Sequence, residues 1–179
     1  MDHGPGPYAE FEAFVAGAAG RLLRVAILLT AEPDPGPSGA ADAPAARGLL
    51  GGALARTYAN WRRLRGDDPY DCTRQELCAA FARTGRRHHG GSGVLGRLSP
   101  LERLVLVLRL YEGLAEEVTA AQLGLPPERV RALCARAVAE LRKAPGAAPG
   151  SGPGSATGSG PSAGPSAGSS AGSATAGAA

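Results

Sequence analysis

Apolar side chains recur along the first 143 residues at helical spacing, and alternation of the kind that marks strands is not the pattern. Tyr8, Phe11, Phe14, Ala18, Leu22, Val25 and Leu29 form one stripe, which predicts an amphipathic first helix ending before Glu32-Pro33. The segment from Pro33 to Pro44 is rich in Pro, Gly and Ala and predicts a loop, because proline removes amide donors and fixes φ. Leu50, Ala53, Leu54, Thr57, Tyr58, Trp61 and Leu64 share the face of a second helix, with Arg56, Arg62, Arg63 and Arg65 mostly outside it. Gly51 and Gly52 cost this helix on the order of 2 kcal/mol in propensity relative to alanine, so its first turns are expected to be loose. After a turn at Gly66-Asp67-Asp68-Pro69, a third helix from about Tyr70 to Thr84 is expected to bury Leu77, Phe81 and Cys78.

Arg86-Arg87-His88-His89-Gly90-Gly91-Ser92-Gly93 then reads as a flexible basic linker. Beyond it, Ser99 can cap a fourth helix, Pro100 suits its first position and Glu102 completes a capping box. Leu101, Leu104, Val105, Leu106, Val107, Leu108 and Leu110 make that helix nearly all apolar, so it should be buried and should end at Gly113. From Glu116 onward the residues fit a helix-turn-helix. Ala120 allows a close crossing, Gly124 suits a turn that needs positive φ, and Pro126-Pro127 can begin a helix but not lie inside one. Leu123, Leu125, Val130 and Leu133 fall where the two helices must share a core.

The second of these helices divides by face. Val130, Leu133, Ala137 and Leu141 point inward, which leaves Arg129, Arg131, Ala132, Ala135 and Arg136 on the outside of its first half. That half is the one that enters a major groove, where arginine can pair with a guanine edge or a phosphate and alanine lets the backbone approach. These five residues are the expected DNA-binding set, with Arg131 the leading candidate. A helical hairpin with a solvated basic face is the competing reading, and Glu128 and Glu140 on the same helix narrow the surface that could meet phosphates.

Charge supports that reading. The chain carries 19 Lys and Arg against 16 Asp and Glu. Residues 1–48 hold three arginines against six acids, a balance of −3, whereas residues 49–143 hold 16 cations against ten acids, a balance of +6. A basic surface favours a polyanionic partner. Arginine supplies all but one of the cations, a bias that points to a GC-rich genome rather than to a chemical requirement. Residues 144–179 hold only Gly, Ala, Ser, Pro and Thr and should be disordered, since they cannot bury enough surface to offset their ordering entropy.

Little else suggests chemistry. Cys72, Cys78 and Cys134 form no Cys-x-x-Cys pair, and His88-His89 has no third ligand nearby, so reduced thiols and no metal site are expected. No paired carboxylates, activated nucleophile or phosphate-cradling loop indicates catalysis, and no cofactor is expected. No run approaches the roughly 18 apolar residues of a membrane span and no basic leader opens the chain, so a cytoplasmic location away from membranes is expected.

A family resemblance sharpens these expectations. Leu98-Ser99-Pro100-Leu101-Glu102-Arg103, then Leu108-Arg109-Leu110-Tyr111-Glu112-Gly113-Leu114, Ala120-Ala121-Gln122-Leu123-Gly124 and Arg136-Ala137-Val138-Ala139-Glu140-Leu141-Arg142 resemble the C-terminal domain of extracytoplasmic-function sigma factors. LuxR-type regulators share that helix-turn-helix. However, Phe11-Glu12-Ala13-Phe14-Val15, Leu22 to Thr30, and Ala53-Leu54-Ala55-Arg56-Thr57-Tyr58-Ala59-Asn60-Trp61-Arg62-Arg63 resemble the other helical domain of these sigma factors.

The resemblance implies an all-α chain of two small domains. A region 2-like domain would span residues 1–85 with a Pro/Gly loop at 31–46, followed by a linker at 86–97, a region 4-like domain at 98–143 and the tail at 144–179. It implies promoter DNA and core RNA polymerase as partners, with an anti-sigma factor as a further candidate. Polymerase would be met around Leu50, Leu54 and Arg56. Members usually carry acidic and Gln residues where this chain reads Arg47-Gly48-Leu49-Leu50-Gly51-Gly52, a departure in the polymerase-binding helix. Loss of polymerase recruitment with DNA binding retained, or a helical module that binds only protein, are the alternatives.

Overall fold

In the computed structural model, which describes residues 6–33, 43–64, 66–88 and 91–143, every regular element is helical. The helices are α1 (Pro7–Thr30), α2 (Pro44–Ala59), α3 (Pro69–Thr84), α4 (Pro100–Leu106), α5 (Glu116–Leu123) and α6 (Pro127–Arg142). Five of the six begin at proline, which needs no intrahelical donor there. The tail expected beyond Lys143 and most of the loop expected after Pro33 lie outside the described residues.

α1 ends where its stripe predicts. It buries Leu22, Val25, Ala26 and Leu29 completely, while its N-terminal aromatic residues meet the end of α2. There the Phe11 ring lies 4.9 Å from that of Tyr58 and 5.1 Å from that of Trp61, in the tilted and edge-on arrangements that aromatic quadrupoles favour. The sequence holds no unbroken run of about 18 apolar residues, yet α1 reaches the average hydropathy of a membrane span. It is 24 residues long and contains an 18-residue window with a mean hydropathy of 1.6, sufficient by length and composition alone. Leu22, Leu23, Val25, Ile27, Leu28 and Leu29 raise that mean, while Arg21 and Arg24 interrupt the apolar run.

α2 starts six residues before Leu50 and stays helical through both glycines, so its first turns are formed. Their stability has a source the sequence hides. The Glu32 carboxylate accepts from the backbone amides of Ala45 and Ala46 at 3.0 and 2.7 Å, which satisfies otherwise orphaned donors at the start of the helix. α2 stops earlier than its apolar stripe suggests, and Trp61–Arg63 forms a separate 3₁₀ turn. Asp68 caps α3 by accepting from the Tyr70 amide. Leu77, Cys78 and Phe81 are buried as expected, and a hydroxyl pair between Thr57 and Thr73 at 3.0 Å joins α3 to α2.

The capping box of α4 is complete. Ser99 accepts from the Glu102 amide, and the Glu102 carboxylate accepts from the Ser99 amide at 2.9 Å. The long apolar helix expected here changes character halfway, because α4 ends at Leu106 and Val107–Tyr111 form a π-helical turn. The stretch is also less uniformly buried than its composition suggests. Leu104 to Leu108 are buried, but Leu101 and Leu110 are exposed.

One large core joins the N-terminal helices to the stretch from Leu95 to Leu108, and the described helices form one compact unit. Two features stitch this junction. Residues 91–98 run in turns against the end of α1, with the Gly93 amide donating to the Ala31 carbonyl at 2.7 Å. Side chains on Gly91 or Gly93 would overlap the carbonyls of Ala31 and Glu32, so this close approach requires glycine. Arg103, fully buried, donates to the Leu29 carbonyl at 3.0 Å and to the Leu98 carbonyl at 3.1 Å, which ties α4 to the last turn of α1.

Candidate nucleic-acid interface

The helix-turn-helix is built by the residues that predict it. Gly124 adopts φ of 64°, the left-handed conformation that ends α5, and the Leu125 amide returns to the Ala120 carbonyl at 3.0 Å to close the turn. Val105, Ala120, Val130 and Leu133 form a second core cluster, filled in by Leu123, Leu125 and Cys134. α6 is thereby held through Val130, Leu133 and Ala137, all buried. Arg97 fixes its far end by donating to the carbonyls of Glu140 and Lys143.

Arg129, Arg131, Ala132, Ala135 and Arg136 are all exposed on α6. At 3.6 residues per turn they are not one cluster. Ala132 and Ala135 lie along the crest with Glu128, while Arg131 stands on one flank and Arg129 and Arg136 on the other. An alanine crest between arginine flanks is shaped to enter a groove and reach both of its walls.

The flanks carry contacts that sequence reasoning missed. Arg131 makes a two-pronged pair with Glu116 of α5, at 2.8 and 3.2 Å, yet its side chain remains 72% exposed. Arg136 is paired with Glu102, and its side chain is also mostly exposed. Burial pushes the Glu102 carboxyl up, but hydrogen bonds from Ser99 and the Arg136 charge outweigh it, so its pKa lies below the usual carboxylate value. Among the described residues, Arg129 has no such partner. The only sequence signal for these pairs is the presence of acids at the starts of α4 and α5, and helix-end electrostatics explains those equally well.

The residues expected to meet polymerase divide differently. Leu50 is 8% exposed and belongs to the core, because α2 turns Ala46, Leu50, Ala53 and Thr57 inward. A partner outside cannot reach it in this arrangement. Leu54 lies at the edge of that face, and Arg56 is half exposed, 3.9 Å from Glu76 of α3. The described residues contain no group of three or more His, Cys, Asp or Glu arranged to hold a metal ion. His88 stacks on Phe81 at 5.8 Å, and burial lowers its pKa.

An all-helical chain that presents a basic second helix from a glycine-turned pair belongs to the helix-turn-helix class of DNA-binding proteins. Residues 94–143 match the family model described as sigma-70, region 4. The chain is also 30% identical over 164 residues to the RNA polymerase sigma-E factor of Streptomyces coelicolor, an alignment that covers 77% of this chain and 87% of that protein. The chain therefore belongs to the RNA polymerase sigma factors, in the extracytoplasmic-function group. No solved structure gives a significant match.

Proposed function

We infer that this protein directs RNA polymerase to promoters, reading the upstream promoter element with α6. The observation that carries this reading is the exposed alanine crest flanked by Arg129, Arg131 and Arg136, inside the segment that matches region 4. Arg129 is the flank residue ready to meet a phosphate or guanine edge without first leaving an internal partner, and Ala132 and Ala135 set the depth of approach. Residues 1–85 then serve as the polymerase-facing half, with 86–97 as the connector and 98–143 as the DNA-reading half. Leu54 and Arg56 are the contact candidates on α2, and Leu50 supports them from beneath. Promoter DNA and core polymerase are the partners, the cytoplasm is the location, and an anti-sigma factor is a further partner in this reading.

A second reading has its own support. α2 has no acidic residue, so carboxylate contacts to polymerase, each worth roughly 1.5–3 kcal/mol when charge-assisted, are missing from this helix. A sigma-like protein that binds promoters without recruiting polymerase would look the same on α6. Co-purification of the full chain with core polymerase, together with run-off transcription from sites mapped genome-wide, separates the two. Transcription dependent on the protein supports the first reading, whereas bound promoters without polymerase recruitment support the second. Absence of any gel shift across a salt series would remove both, since phosphate contacts must show steep salt dependence.

A further inference from the structure

Behind the π-helical turn, the carboxylate of Glu112 is completely buried, and it faces the N-terminal half. One oxygen accepts from the Tyr70 hydroxyl at 3.0 Å and from Arg21 Nε at 3.3 Å, and the other accepts from Arg74 at 3.4 Å. The Arg21 guanidinium also lies over the Tyr70 ring, 5.0 Å from its centroid. Two cations and a phenol, all from α1 and α3, thus converge on one anion supplied by the other half of the chain.

The fit is loose. Charge-assisted bonds between guanidinium and carboxylate usually close to about 2.7–2.9 Å, and neither arginine reaches Glu112 that closely. Arg74, with a side chain only 6% exposed, also has its Nε proton left without an acceptor, a costly state for a buried donor. Its one tight contact is with half-exposed Asp71 at 2.7 Å, a carboxylate that weakens but does not cancel the attraction of the site for anions. A phosphodiester also offers two anionic oxygens, but on a tetrahedral centre rather than in one plane, which suits three donors approaching from different directions.

We propose that Arg21, Tyr70 and Arg74 form a cradle for a backbone phosphodiester of DNA, and that Glu112 fills this cradle as an internal stand-in while the two halves lie together. Promoter engagement displaces Glu112, so the packed form holds its own second DNA contact closed. The inference rests on the DNA-binding reading above, but it concerns a site remote from α6.

The test uses the full chain and a short fluorescein-labelled duplex of random sequence, titrated by anisotropy at several salt concentrations. Glu112→Gln removes the competing charge and should raise affinity by about tenfold at low salt, with a salt slope steeper by about one phosphate. Adding Arg21→Ala to that variant should abolish the gain. Adding Arg129→Ala instead should lower affinity but preserve the gain, which scores the α6 reading separately. No gain in Glu112→Gln, or a gain that survives Arg21→Ala, overturns the proposal. Should Glu112→Gln fail to fold, amide exchange in the wild-type chain decides the matter. Duplex binding should speed exchange across residues 107–114, and unchanged or slower exchange there overturns the proposal.

Discussion

Arg129 and Arg131 lie two positions apart on α6 and begin from different states, one without a partner among the described residues and one joined to Glu116 by two hydrogen bonds. Replacing either by alanine should weaken promoter binding by roughly 1–3 kcal/mol where the side chain reads a base. Arg131 must leave Glu116 to do so. Exposed pairs are worth only about 0–1 kcal/mol, so the barrier is small. Glu116→Gln should accordingly tighten binding up to severalfold, and anisotropy titration of the variants side by side checks both expectations. Glu102 supplies a pH signature at the same scale. Its carboxyl is depressed in the folded chain, so the stability it contributes is complete above the ordinary value of 4.5 and is lost as pH falls through the lower folded value. Ser99→Ala should cost about 1 kcal/mol at neutral pH and less in acid, as read from urea melts at the two conditions.

At the scale of elements, the turn between α5 and α6 was legible in advance because each of its residues has a local reason to be there. Gly124 takes positive φ, Pro127 starts a helix, and Ala120 and Val130 meet across the crossing. Gly124→Ala meets no steric obstacle, since the space around it is open, but should still cost roughly 1–2 kcal/mol through backbone strain. Gly124→Asn should cost less, because asparagine tolerates this conformation better, and denaturant titration of the pair tests that order. The features that escaped sequence reading are those set by distant partners. Glu32 steadies a glycine-rich α2 from 13 positions away, and the π-helical turn interrupts a run that reads as one apolar helix, whereas the burial of Leu50 follows its apolar periodicity and departs only from the polymerase contact that the family resemblance implies. On α6 the crest and flanks follow from periodicity alone, whereas the acids that hold Arg131 and Arg136 belong to other helices and leave no periodic trace.

For the whole molecule, the decisive residue is one whose type suggests the surface. Among the described residues Arg103 is the largest fully buried side chain, and it bridges the end of α1 and the start of α4 with no carboxylate partner among them. Burial lowers its pKa, and its remaining terminal nitrogen has no acceptor. Arg103→Ala should destabilise the chain by roughly 2–5 kcal/mol, through a cavity and two orphaned carbonyls. Urea unfolding followed at Trp61 in the N-terminal half and at a label near α6 should then lose its coincidence. Coincident transitions with unchanged stability would contradict a bridging role for Arg103.

The glycines pressed against Ala31 and Glu32 make the seam between the halves sensitive to a single added methyl. A residue as small as alanine at position 91 or 93 would act as a wedge driven into a closed joint, leaving the polar grips of Arg103 and Glu112 untouched. Such a variant offers a way to pry the protein open by shape alone, and with it a means to distinguish what separation itself does from what the charges do.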